Sequence, residues 1–258
     1  LFNPYTFRSY YAIPATINES GLFLGFIIIT CGLLNKNNLQ IIFGVMLSVI
    51  SRQTSLLLIP IFITLYYFKY LTFRELKIYC VTIIFGFLCI KYLTILFYGA
   101  SSSFYFITHS TGLFLWFINS FSITDAISFF GRYILFLLTL SGFILLIDKN
   151  FKHNWIFFAI FLFIHLHALS GGPFVTGGNI QRLAALALPF LIPYISNSKA
   201  TKNLFIYFII ISVIVSFHHQ KTFIYNYNID NGNILFLLLV LSTLPVSIYL
   251  KYSLLKRK

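Results

Sequence analysis

Charge is what this chain has least of. Only 9% of its 258 residues are charged and 59% are hydrophobic, with a mean hydropathy of +0.90. A soluble domain carries about a quarter of its residues as Asp, Glu, Lys and Arg, so a water-soluble surface is excluded and an integral membrane protein is expected. Acids are scarcer still: five Asp and Glu stand against 18 Lys and Arg, a formal charge of +13. In a membrane protein such an excess marks cytoplasmic loops and contact with anionic lipid, which argues against a nucleic-acid partner. Cysteine is sparse too. Cys31, Cys80 and Cys89 are odd in number and sit inside apolar runs, which excludes a disulfide framework and leaves them as small packing residues.

What is present is a series of apolar runs. They cover Gly21 to Leu34, Leu39 to Ser51, Thr54 to Phe68, Ile78 to Phe97, Tyr133 to Ile147, Trp155 to His167, Leu183 to Ile195, Leu204 to Phe217 and Ile234 to Leu250. The expectation is an all-α polytopic fold of about nine membrane-embedded helices forming one membrane domain over residues 1–258. Several runs fall short of the ~20 residues that cross the hydrocarbon upright. Residues 1–20, aromatic and proline-punctuated, are placed at the outer face. The segment 113–131, with Asp125 and several Ser and Thr, reads as an outer interfacial helix rather than a span. The first twenty residues lack the basic and apolar regions of a signal peptide. A chain that begins with Leu1 instead of Met is expected to be a fragment or a processed product.

The basic residues orient this arrangement. Lys36, the cluster Lys69, Arg74 and Lys77, the pairs Lys149 with Lys152 and Lys199 with Lys202, and the C-terminal group from Lys251 to Lys258 fit five cytoplasmic segments. Glu75 and Asp148 fall in the same cytoplasmic loops. Four of the six arginines, Arg8, Arg52, Arg132 and Arg182, then fall at the outer face. Arginine there suits phosphate or carboxylate, because its planar fork gives bidentate hydrogen bonds that an ammonium cannot give. Snorkelling to lipid phosphate is the plainer account of any one of them.

Two polar motifs stand out. Ser51-Arg52-Gln53-Thr54 interrupts two apolar runs, where a guanidinium needs a partner or a cavity. The glycine-rich stretch from Gly171 ends in Asn179, Gln181 and Arg182, where close backbone approach and a helix start favour an anion. An ordinary turn between short helices explains the glycines equally. Glu19, Asp125 and Asp230 are the acids left for an outer-face general base. Glu19 also suits a first-turn partner of a helix dipole, and Asp125 a turn cap. His165 and His167, two apart and without acidic partners, argue against a metal site.

The segment with IPATINES before a short helix, RQTSLLLIP from Arg52 to Pro60, and GGNIQRLAALALPFLIP from Gly177 to Pro193 together resemble the polytopic C-type glycosyltransferases that use polyprenyl-phosphate sugars. The resemblance implies inverting sugar transfer at the outer membrane face; low charge and richness in Ile, Phe, Lys and Asn suit a bacterium with an AT-rich genome, so a bacterial inner (cell) membrane is expected. The partners implied are membrane lipid, a polyprenyl-phosphate-linked donor, and a glycan, lipid or protein acceptor. It implies Arg52 and Arg182, with Arg8, as the cations that stabilise the leaving phosphate. Beside them, Gln53, Thr54, Asn179 and Gln181 of the two polar motifs are further substrate- or phosphate-binding candidates. The base implied is a carboxylate, for which this chain offers Glu19 or Asp125. It calls for no cofactor and leaves metal assistance open. Family members carry a catalytic aspartate in a loop after their first span, and none precedes residue 21 here. That departure leaves three alternatives: a truncated N-terminus, a substitute base, or an inactive member. An O-antigen-type polymerase or ligase would also use outer arginines, on a lipid pyrophosphate; a transporter or flippase should instead show paired broken helices in two matching halves, and the sequence has no such symmetry.

Overall fold

The computed structural model describes residues 17–98, 105–140, 155–176, 180–191, 193, 206–207, 209–210 and 241–253. Among the described residues the chain is helical without strands. Helix α1 (Ile17–Asn35) is followed by α2 (Asn38–Ser51), a 3-10 turn (Gln53–Leu57), α3 (Leu58–Tyr67) and the long α4 (Phe73–Tyr98). Then come α5 (Tyr105–Asn119), α6 (Ile123–Thr139), α7 (Trp155–Ser170), two short helices α8 (Gly172–Val175) and α9 (Ile180–Ala185), and a 3-10 turn (Leu188–Leu191). Residues 241–253 are helical as well.

The tightest packing lies between α1 and α2. A side chain built at Gly21 would strike Ser51, one at Gly25 would strike Ser48 and the Gly44 carbonyl, and one at Gly32 would strike Ile41. The paired numbers rise on one helix as they fall on the other, so the helices are antiparallel. Their backbones approach through a seam of glycine and serine, small residues that let two helices gain close van der Waals contact. Ser48 and Ser51 turn their hydroxyls back onto the carbonyls of Gly44 and Leu47, at 2.8 and 2.6 Å, so the seam carries no stranded hydroxyl there.

Helices α3 and α4 form a second hairpin. Phe62 meets Tyr79 with ring centroids 5.0 Å apart, and Tyr66 meets Phe73 at 5.8 Å. The Tyr79 hydroxyl donates to Asn38 Oδ1 at 2.9 Å, while Gly86 faces Val49, so α4 runs alongside α2 in the same direction. The turns from α1 to α2 and from α3 to α4 therefore share one end of the bundle. The Arg52 break lies at the other.

Local chemistry explains the boundaries. Thr72 and Glu75 cap α4 reciprocally: the Thr72 backbone and hydroxyl both donate to Glu75 Oε2 at 2.7 Å, and the Glu75 backbone donates to the Thr72 hydroxyl at 3.3 Å. Helix α4 thus starts at Phe73, not at Ile78, and Glu75 belongs to its first turn rather than to a loop. Asn37 accepts from Gln40 N at 3.2 Å and starts α2. Lys36 (φ 52°) and Lys69 (φ 62°) end α1 and α3 in the left-handed conformation. Asn37 N bonds Gly32 O, and Tyr70 N bonds Leu65 O, both at 2.9 Å. Glycine usually fills that position, and a side chain there costs about 1 kcal/mol.

Span by span, the expectation of nine membrane helices is not met. One described helix is long and apolar enough to cross a membrane, Phe73–Phe97 within α4, and the rest of the protein covers little of it. Glu19–Asn35, Asn38–Ser51, Thr54–Tyr67 and Trp155–Ser170 are apolar but shorter. The apolar run from Leu183 leaves the α-helix after Ala185. It turns at Leu186 and Ala187 and continues as 3-10, with Pro189 inside that turn. Ala184 through Phe190 are nevertheless buried, so the irregular backbone packs inside the protein and not at its surface. The segment 113–131 is likewise two pieces, the end of α5 and the start of α6, parted at Ser120 to Ser122. The expected runs Leu204 to Phe217 and Ile234 to Leu250 lie largely outside the described residues. Cys31, Cys80 and Cys89 are free thiols, each half-buried.

Candidate functional site

At the end of the bundle away from the two lysine turns, α2 stops at Ser51. Arg52 is extended (φ −158°, ψ 148°) before the 3-10 turn begins. Its backbone N donates to Ser48 O and its carbonyl accepts from Ser55 N, both at 3.0 Å, so the break costs the backbone no partner at this residue. The extended conformation swings the guanidinium across the open end of the α1–α2 hairpin, where Nη1 is hydrogen-bonded and ion-paired to Glu19 Oε1. Glu19 sits in the first turn of α1 with its side chain 6% exposed, against 35% for Arg52. The carboxylate is inside and the guanidinium bridges inside to outside.

The pairing changes how both residues read. Glu19 was expected to act as a base or as a dipole partner, and Arg52 as an anion ligand. The fold makes them each other's counter-ion. A buried carboxylate needs such a partner, and the positive end of α1 adds to the attraction. Within the next turn, Thr54 is half-buried and the Ser55 hydroxyl is buried with no hydrogen-bond partner among the described residues. Ser55 was not singled out from sequence. Its place one step beyond Arg52-Gln53-Thr54 was the available signal. Gln53 opens the 3-10 turn.

The other sequence candidates fall in a second group. Gln181, on α9, donates through Nε2 to the Arg132 carbonyl on α6 at 2.9 Å, and Arg182 follows it in the same short helix. Helix α9 has six residues, so the dipole expected at Arg182 is that of less than two turns. Asp125 lies in the first turn of α6, half-buried. Helix α9 packs on α6 and α7, and the 3-10 turn after it packs on α1, where Phe190 meets Phe26 at 5.5 Å. The segment 180–191 thus ties the two groups into one bundle. Asn179 and Arg8 lie outside the described residues.

Between α6 and α7, buried His165 meets half-buried Tyr133, a contact that nothing in the sequence announces. His165 is 1% exposed, its Nδ1 is 3.2 Å from the Tyr133 hydroxyl, and it is ringed by Phe136 and Phe161. Among the described residues no three His, Cys, Asp or Glu gather into a metal-binding group. Nearby, Gly172 (φ 63°) turns the chain from α7 into α8, and its close approach to Gly112 and Leu113 leaves no room for a side chain.

No family model matches the chain, and no curated protein or solved structure is significantly similar to it.

Proposed function

We propose that the chain is a multi-pass membrane glycosyltransferase that moves a sugar from a polyprenyl-phosphate donor to an acceptor at the outer face. The observation that carries this reading is the Glu19–Arg52 pair, a buried carboxylate and a part-exposed guanidinium on the end of the bundle opposite the exposed lysine turns. Glu19 takes the proton of the acceptor hydroxyl. The hydroxyl oxygen bonds to the anomeric carbon from the far side, the carbon–oxygen bond to the donor breaks, and polyprenyl phosphate leaves with the electron pair, inverting the centre. Arg52, through the edge not facing Glu19, meets the charge that grows on the departing phosphate, where low dielectric strengthens each interaction. Arg182 contributes a second cation from the segment 180–191.

In this reading α4 crosses the bilayer. The shorter apolar helices sit beside it in an inner (cell) membrane, tilted or locally thinning the lipid.

The test is transfer from a polyprenyl-phosphate sugar by the full-length protein in detergent or proteoliposomes. Glu19→Gln is expected to lower turnover by about 10²–10⁴-fold, and Arg182→Ala to abolish it while membrane insertion is retained. Undiminished turnover by Glu19→Gln removes the carboxylate from the chemistry. Undiminished turnover by Arg182→Ala removes that residue from the site.

A further inference from the structure

We infer that the end of the bundle built by the two lysine turns is a binding site for anionic phospholipid headgroups. Among the described residues, the non-glycine positions with left-handed backbone are Lys36 and Lys69, and both close helices at this same end. Glycine or asparagine would close either turn with less strain, so lysine is held there against local preference. The Tyr79–Asn38 hydrogen bond ties the start of α2 to the second turn of α4, beside this end. Arg74 and Lys77, on the first turns of α4, bring two more exposed cations to the group. The acid among them, Glu75, caps α4 through Thr72 and keeps its negative charge. The result is a group of four cations beside one carboxylate, a local excess of positive charge.

The surroundings match a lipid headgroup better than water or a soluble anion. Tyr67 is 77% exposed and Phe73 54% exposed, and Trp155 from α7 packs edge-on against Phe68 at 4.6 Å. Lys77 Nζ lies 4.4 Å over the Phe73 ring, which holds the ammonium on an apolar platform. Aromatics with one wet edge, interleaved with cations at the start of a membrane-length helix, are the composition of a bilayer interface, and clustered basic residues there attract anionic lipid. A lysine at a helix C-terminus also meets the negative end of the helix dipole. That plainer role predicts that losing the lysine destabilises the helix and leaves lipid preference untouched.

The two roles separate in one experiment. The full chain is reconstituted in phosphatidylcholine bilayers with traces of spin-labelled phosphatidylglycerol or phosphatidylcholine, and the motionally restricted fraction gives the relative association constant. The intact protein is expected to favour phosphatidylglycerol by several-fold, with a preference that shrinks as salt is raised. In Lys36→Gly/Lys69→Gly the turns are relieved of strain. That variant is expected to melt no earlier than the intact protein while its preference falls by up to about fivefold per charge removed. Equal association of the two lipids with the intact protein, or full preference in the double glycine variant, overturns the proposal. Neither result depends on whether the chain transfers sugars.

Discussion

The two ends of the α1–α4 bundle carry charge in opposite ways. At the lysine end the cations are exposed, two in turns and two at the start of α4, and the local acid caps that helix. At the Arg52 end a cation is paired with a nearly buried carboxylate across a helix break. Exposed charges of one sign act on what surrounds the protein, at little cost to its own fold. A buried pair acts on the fold itself, since each member is costly without the other. Their difference in burial, more than in residue type, separates an interface from a site.

That contrast breaks most severely if the hairpin beneath it is forced apart. Gly25→Leu drives a side chain into the Gly44 carbonyl and Ser48 and is expected to cost about 3 kcal/mol or prevent folding. A detergent melt with far-UV circular dichroism reads the effect, and a native-like melting curve would show the helices to be farther apart than described.

Arg52→Ala is expected to cost about 2–3 kcal/mol. This is below the roughly 3–5 kcal/mol for breaking a fully buried pair, because Arg52 is a third exposed. A double-mutant cycle with Glu19→Gln should return a coupling near 1–2 kcal/mol. Additive losses would mean the ion pair holds nothing together.

On the α6–α7 side, Tyr133→Phe removes the hydroxyl beside buried His165 and is expected to cost about 1 kcal/mol. An unchanged melting temperature would mean that His165 is satisfied without it. Smallest is Thr72→Ala at the lysine end, which removes the hydroxyl half of the α4 cap and should cost about 1 kcal/mol or less. If its loss exceeded that of Arg52→Ala, the assignment of structural weight to the buried end would be reversed.

The candidate site was half legible. Arg52 was conspicuous as a guanidinium between apolar runs, and Glu19 as one of five acids. Nothing in their separation of 33 positions announced that they pair. That required the glycine–serine seam to bring α1 and α2 into antiparallel register. The run from Leu183 was misread because its apolar residues continue without a gap, whereas Pro189 removes a backbone donor and the burial of Ala184 to Phe190 shelters the resulting irregular chain. The start of α4 was placed five residues late because Thr72 and Glu75 are polar, yet their reciprocal capping is what makes the helix begin there.

By itself the sequence determined the helical, apolar character of this protein, the break at Arg52 and the gathering of lysines into turns, because these follow from composition and from local backbone chemistry. Only the tertiary structure decided which helices meet, that Glu19 and Arg52 become counter-ions, and that the two lysine turns share one end with Trp155 of α7. Those outcomes depend on close packing between segments far apart in the chain, where small residues set the distance and burial sets the value of each charge.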